Sequence, residues 1–388
     1  MRSVRQPMKI LHVVPSFAPA WRYGGPINTV LQLCRQMARS GCEVRVLTTD
    51  ANGPDAVLDI PTSREIETAD GLRVRYCARL MPESVSMRLL RELPRYLRWA
   101  DVVHLTAVYS FPTIPTLLAC KLMDKPVVWS PRGSLQRWEG TRRSLLKTMW
   151  ERICRAVAPR RLRLHVTSEE ENRESTSRLP GIQTVIIPNG VEIPDESRHT
   201  ERKEALRLLY IGRINPKKGI ENLLAAFKLL NGHGPQYKLT IAGTGDGPYE
   251  ASIRGEIARL ALSHQAKMIG QVIGDAKHEA FENADVVVVP SHVENFCMVI
   301  AEALAHGVPV IASKGTPWAG VESVGCGLWV DNDPPSLADA IERINHMPLD
   351  DMGQRGRRWM VQQFSWETIA AKMLECYASL LPQREAPA

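Results

Sequence analysis

Cysteine is the first telling shortage. The eight cysteines (Cys34, Cys42, Cys77, Cys120, Cys154, Cys297, Cys326, Cys376) include no CxxC pair and no regular spacing. That excludes a zinc ribbon and a disulfide frame, and fits buried thiols in a reducing compartment. No apolar run reaches the length of a membrane span. The opening MRSVRQPMKILHVV runs from basic residues into a strand-like segment without a small-residue cleavage site, so no signal peptide is expected. Several signatures are missing: GxxxxGK[ST], HExxH, GxSxG, and a GxGxxG after a first strand. With them go the P-loop, zincin, α/β-hydrolase and NAD-binding readings.

What remains is a chain of 388 residues, 44% hydrophobic, enough for a large core and for two domains. The net charge of +7 is concentrated: from Arg132 to Arg163, ten Lys/Arg face two Glu, a local +8. The rest is near neutral, so a nucleic-acid binder is not expected.

Hydrophobic runs alternate with helical stretches in two series. Strands are expected at Met8–Ser16, Glu43–Thr49, Val102–Thr106, Pro126–Ser130, Arg163–Thr167 and Thr184–Ile187, with Asn52–Asp70 a long loop. Pro194–Glu204, polar and charged, reads as a linker. The pattern restarts with strands at Leu206–Gly212 and Tyr237–Ala242, and three helical stretches end the chain. Domains are expected over 1–195 and 196–364, with a terminal helix and tail over 365–388.

The stretch VPSHVENFCMVIAEALAHGVPVIA, Val289–Ala312, organises the second series as strand, loop, helix, strand. Glu294 and Glu302 stand eight residues apart, about 12 Å along a helix. They read as two carboxylates for ligand hydroxyls, or as a dipole-complementing glutamate and a solvated one. The apolar neighbours of Glu302, Val299 to Leu304, favour a paired carboxylate. In GRINPKKG, Arg213 and Lys218 follow a strand and precede a helix. Lys218 has the wrong sign for that helix end, so it wants an anion; the plain alternative is two solvated cations. Gly24-Gly25 after the first strand lets backbone N–H groups approach an anion, or makes a tight turn. Gly243 to Gly247 is GxGxG after the wrong strand for a dinucleotide fingerprint. His104 is either a ligand contact or a satisfied core residue, and Arg132-Gly133 either an anion site or a turn. Leu145, Leu146, Met149, Trp150, Ile153 and Val157 recur at helical spacing, with Arg142, Arg143, Lys147 and Arg155 off the stripe. That suits a helix lying on an anionic membrane, or a core-facing helix with a basic outer face.

Taken together, these motifs resemble the family 4 glycosyltransferases, over nearly the whole chain: the Gly24-Gly25 loop, Pro188-Asn189-Gly190, GRINPKKG, the Gly243–Gly247 loop, the E-x7-E pair and the final FSWETIAAKMLECY helix. The resemblance implies an α/β chain of GT-B architecture, two facing Rossmann-like domains with a C-terminal helix crossing back to the N-terminal one. It implies that Glu294 binds the donor hexose and Glu302 the nucleotide ribose. It implies that Asn295, Phe296 and Cys297 offer N–H groups to the sugar, and Met298 and Val299 to the diphosphate. Arg213 and Lys218 would neutralise the diphosphate, Gly25 would approach it, and Gly270 to Val272 would line the base. Two departures stand out. Cys297 replaces a common glycine, and the family's HxH reads His104-Leu105-Thr106, which leaves His104 as a possible contributor.

The expectation is a metal-independent, retaining glycosyltransferase, with Glu294, Arg213 and Lys218 as its catalytic residues. It would move a hexose from a UDP- or GDP-sugar to a saccharide acceptor in glycan biosynthesis. No cofactor is expected beyond that donor. The acceptor is expected to be lipid-linked, and the protein cytoplasmic, resting on an anionic membrane through 142–157. An epimerase or hydrolase on the same scaffold, or a non-catalytic sugar-nucleotide-binding subunit, are the alternatives.

Overall fold

The computed structural model describes residues 7–80, 84–136, 144–195, 205–230 and 237–382. The basic residues Arg142 and Arg143, and the 196–204 part of the expected linker, lie outside them. The chain divides into two units, Met1–Gly190 with Trp366–Ala388, and Val191–Ser365.

In the first unit, β1 (Lys9–Ser16), α1 (Gly25–Arg39), β2 (Glu43–Thr49), β3 (Glu65–Glu67), β4 (Arg73–Cys77) and α2 (Met87–Trp99) follow in order. Then come β5 (Val102–Thr106), α3 (Thr113–Leu122), β6 (Val127–Ser130), α4 (Ser144–Val157), β7 (Leu162–Val166), α5 (Glu169–Arg178) and β8 (Thr184–Ile186). The sheet order is β3-β4-β2-β1-β5-β6-β7-β8. Only β3 runs antiparallel, against β4. Every residue of β5 and β6 is buried, as strands covered by helices on both faces must be. Ser86 and Ser168 start α2 and α5 by accepting the N–H of Leu89 and Glu171. The loop expected over Asn52–Asp70 contains β3 and an Ala51–Val57 bridge.

The second unit runs β9 (Leu206–Ile211), α6 (Ile220–Leu230), β10 (Tyr237–Ala242), α7 (Gly247–Arg259), β11 (Ala266–Gly270), α8 (Asp275–Glu282), β12 (Val286–Val289) and α9 (Met298–Ala305). It continues with β13 (Val310–Ser313), α10 (Gly320–Val324), β14 (Gly327–Val330), α11 (Pro334–Asn345) and α12 (Leu349–Gln363). Its strands order as β11-β10-β9-β12-β13-β14, all parallel. The last helix, α13 (Trp366–Leu380), belongs to the first unit. Its Ile369, Met373 and Tyr377 join the core beneath α1. Gly190 makes room for it, because a Cβ there would stand 2.4 Å from the Trp366 ring.

Each sheet has one place where strand order reverses, β1/β5 in the first and β9/β12 in the second. Open parallel sheets bind ligands past the carboxyl ends of the strands at such switch points.

Candidate functional site

Both loops that leave the β9/β12 switch point carry charge, and backbone contacts fix them against each other. After β9, Gly212 N donates to Ala242 O (3.0 Å) and Ile214 N to Thr244 O (2.9 Å). A Cβ on Gly243 would lie 1.8 Å from Gly212 O, and one on Gly245 2.1 Å from Ile214 O. The GxGxG run therefore serves close backbone approach that sets the path of Arg213. Next, the 3-10 turn Pro216–Lys218 is capped by the Asn215 side chain and closed by Gly219, left-handed at φ 62°. A Cβ on Gly219 would meet Pro290 O at 2.1 Å. His292 N donates to Lys217 O at 2.8 Å. These contacts bring Lys218 to the loop after β12.

There Lys218 Nζ pairs with Glu294 Oε1. The Ser291 hydroxyl donates to the same oxygen at 2.7 Å, a partner the sequence did not single out. The Lys218 and Glu294 side chains are 27% and 13% exposed. Burial opposes the charge of Lys218; the Glu294 carboxylate overcomes that and leaves its pKa above the ordinary lysine value, with Arg213 pulling the other way. Arg213 thus lies near enough to act on Lys218. It is exposed, and Tyr210 O–H donates to its carbonyl at 2.8 Å. α9 begins beside them. Its N-cap, Cys297, is left-handed at φ 65° and makes no side-chain cap; Ile300 N donates to Cys297 O at 3.1 Å, while the N–H groups of Met298 and Val299 lack an intrahelical partner. Its thiol is pushed up by burial and by Glu294. Phe296 packs edge-on against Trp318 at 5.2 Å, and its carbonyl accepts from Trp318 Nε1. Asn295 lies in the turn between Glu294 and Phe296. Lys218, one carboxylate and a helix N-terminus therefore meet, with Arg213 in electrostatic range, an arrangement that attracts a diphosphate.

Glu302, one turn into α9, is held by a residue that sequence reasoning overlooked. Lys277 Nζ on α8 bonds its Oε1 at 2.7 Å, with the two side chains 33% and 19% exposed. Val272, in the loop after β11, packs on the same core as Cys297, Met298 and Val299. Two histidines tie α8 to α9: His278 Nδ1 and His306 Nε2 lie 2.8 Å apart, and His306 Nδ1 donates to Glu302 O at 2.7 Å.

In the first unit, Gly25 opens α1 with nothing within 4 Å of a Cβ there. His104 lies elsewhere than a ligand contact requires. It is fully buried at the middle of β5, and both ring nitrogens are engaged, Nδ1 with Tyr377 (2.6 Å) and Nε2 with Ser130 (2.6 Å). The core-residue alternative describes it. Arg132 follows β6 in a turn, left-handed at φ 53°, and bonds Asn189 Oδ1. The stripe on α4 is divided. Trp150 Nε1 donates to Val108 O (2.8 Å), and Glu151 and Cys154 are buried. Leu145 (85% exposed), Leu146 (58%), Met149 (56%) and Ile153 (39%) face solvent. The core-facing alternative for this apolar stripe therefore fails, except at Trp150 and Val157.

Two parallel α/β units, the second with a charged switch point, define the GT-B class of glycosyltransferase fold. HepE of Anabaena, solved with UDP and glucose, superposes with a TM-score of 0.72 at 18% identity, covering 96% of this chain and 100% of that one. The family described as Glycosyltransferase Family 4 matches residues 23–193, and Glycosyl transferases group 1 matches residues 193–359. The chain belongs to the family 4 glycosyltransferases, and it is a glycosyltransferase of glycan biosynthesis. It is 26% identical to the GDP-mannose:cellobiosyl-diphosphopolyprenol alpha-mannosyltransferase of Xanthomonas oryzae, over 96% of this chain and 97% of that protein. An uncharacterized glycosyltransferase of Methanocaldococcus jannaschii is 33% identical over 44% of each chain.

Proposed function

We propose that this enzyme moves a hexosyl unit from a UDP- or GDP-sugar to a lipid-linked saccharide, with retention at the anomeric carbon and without a metal. The observation that carries the reading is the meeting of Lys218, Glu294 and the α9 N-terminus, with Arg213 in electrostatic range. As the bond from the sugar carbon to the diphosphate oxygen breaks, negative charge grows on the leaving group. In this reading Lys218, Arg213 and the N–H groups of Met298 and Val299 stabilise that charge, the task a divalent metal performs elsewhere. Glu294 and Glu302 accept hydrogen bonds from sugar and ribose hydroxyls. The acceptor oxygen attacks from the face the leaving group departs, and the departing phosphate oxygen takes the acceptor's proton.

The mannosyltransferase relative, whose name includes a diphosphopolyprenol acceptor, supports a lipid carrier. So does α4, where the exposed Leu145, Met149 and Ile153 are flanked by the exposed Arg152 and Arg155. An apolar stripe edged with arginine suits an anionic leaflet. We place the protein at the cytoplasmic membrane face on this ground; no helix among the described residues is long and apolar enough to cross a membrane. Calorimetry with a panel of UDP- and GDP-sugars tests the donor, and incubation with donor alone tests for epimerase action. Binding of no nucleotide sugar, or sugar inversion without acceptor, would refute the reading. Flotation should move the wild type with anionic vesicles and leave Leu145→Asp/Met149→Asp behind; equal flotation removes the membrane.

A further inference from the structure

The first unit holds a half-buried cation, Arg132, that meets no carboxylate directly among the described residues. Arg132 has five N–H donors, and one of them finds a partner, the neutral amide oxygen of Asn189. Its Nε is buried without any partner. Among the described residues, Glu171 is the carboxylate whose charge it feels. That group is already engaged: Oε1 accepts from Gly133 N (2.6 Å), and Oε2 from Thr167 N and Oγ1 (both 2.7 Å). Among the described residues, Arg132 makes no ion pair.

The histidines around it supply no countercharge and compete for none. The Ile187 carbonyl can only accept, so His165 Nε2 donates to it (2.8 Å) and His165 Nδ1 must accept from Ser130 (2.7 Å). Ser130 then accepts from His104 Nε2, and His104 Nδ1 accepts from the Tyr377 hydroxyl. One direction satisfies the whole chain, with both histidines neutral. Burial first, and the Arg132 charge as well, holds His12 and His165 near a pKa of about 3. His12 stacks on His104 at 4.7 Å, fully buried, with neither ring nitrogen bonded. Thr106 Oγ1, at the end of β5, is likewise buried and unbonded.

The histidines lie within β1, β5 and β7, whereas Thr106 ends β5 and Arg132 follows the carboxyl end of β6. Ala107 (φ 74°), Arg132 (φ 53°) and Gly133 (φ 74°) are left-handed just beyond β5 and β6; non-glycine residues held there cluster at functional sites. We propose that Arg132 is the centre of a subsite for a substrate phosphoryl group, with the unbonded Thr106 hydroxyl as its neighbouring donor. The identity of the anion rests on the transferase reading above, since both substrates named there carry phosphoryl groups.

The probe is inorganic pyrophosphate, titrated by calorimetry and 31P NMR into wild type, Arg132→Gln, Arg132→Met, Arg132→Lys and Lys218→Ala. Wild type should show two sites; Arg132→Gln and Arg132→Met should lose one, at least tenfold in affinity, and Lys218→Ala the other. Arg132→Lys, which keeps the charge, should fall between. Arg132→Met should melt no lower than wild type, because a cation held out of water without a direct ion pair is a liability to the fold. A UDP titration separates the sources. Unchanged UDP affinity in Arg132→Gln assigns the subsite to the acceptor's phosphoryl group, and a parallel loss assigns it to the donor's. Pyrophosphate binding within twofold of wild type in the Arg132 variants overturns the proposal, and a lowered melting point beside it would mark a structural cation. Should Lys218→Ala leave UDP binding unchanged, the donor-site reading fails by itself, while the Arg132 measurement still stands.

Discussion

Replacing Lys218 separates what the residue does for the fold from what it does for the reaction. In Lys218→Met, Glu294 keeps the Ser291 hydroxyl but loses its cation, at 13% exposure. Breaking a fully buried ion pair costs about 3–5 kcal/mol through the charge left behind. Here Lys218 is 27% exposed, so water screens part of the loss and about 2 kcal/mol is the expected destabilisation. The double variant Lys218→Met/Glu294→Gln removes the orphan charge and should recover to within about 1 kcal/mol of wild type in urea. Transfer should not recover with it. A contact to developing charge is worth about 2.7–4 kcal/mol, or roughly 10²–10³ in rate, and it should appear in kcat more than in KM. Urea denaturation and steady-state transfer assays on the same preparations provide the comparison. If the double variant regained both stability and turnover, Lys218 would serve only to hold Glu294, and the leaving-group argument would collapse.

Two further outcomes follow from the buried histidines and from the glycines of the second unit. His12 and His165 are held near a pKa of about 3, and His104 well below 6.5, by burial. The unfolded chain protonates them below about pH 6.5 and the folded chain does not, so stability falls as pH falls through that window, by up to about 1.4 kcal/mol per pH unit for each histidine. Urea midpoints at pH 7 and pH 5 measure it, and equal midpoints would show that these rings are not held neutral. Gly243→Ala forces a Cβ to within 1.8 Å of Gly212 O and should destabilise by about 1–3 kcal/mol. Gly255→Ala, within α7 and with nothing within 4 Å, should stabilise by about 0.8–1 kcal/mol. Chemical denaturation of the pair should therefore give opposite signs.

Sequence patterns exposed those strands whose two faces are both apolar. Val286 to Val289 is an unbroken buried run, and it could be read without knowledge of any neighbour. β4 escaped the reading because Arg73 and Arg75 interrupt it. Arg75 is 4% exposed, and only its pairing with Glu92 on α2 at 2.9 Å makes that burial possible. A partner seventeen residues away leaves no periodic trace. β11 escaped for a related reason: it is an edge strand, and its alternate residues face water.

The site divides along the same line. Glu294, Arg213 and Lys218 were legible because each is a charged residue where a strand pattern turns into a helix pattern, and Glu302 because it is a charge among apolar helix residues; local order alone places them. Lys277 was not, because what gives it meaning is Glu302 on the next helix. Nor was the setting of Arg132, where Asn189, Glu171 and Tyr377 come from distant stretches. The sequence can show that a cation follows a strand; it cannot show whether a carboxylate elsewhere in the chain cancels that cation. In the second unit one does, since Glu294 meets Lys218. Around Arg132, Glu171 acts through its charge, but its oxygens are bonded to backbone N–H groups and a threonine hydroxyl and make no direct pair with the guanidinium. Arg132 therefore keeps N–H donors without an acceptor, which is why the cation in the first unit, and not the paired one in the second, points beyond the motif.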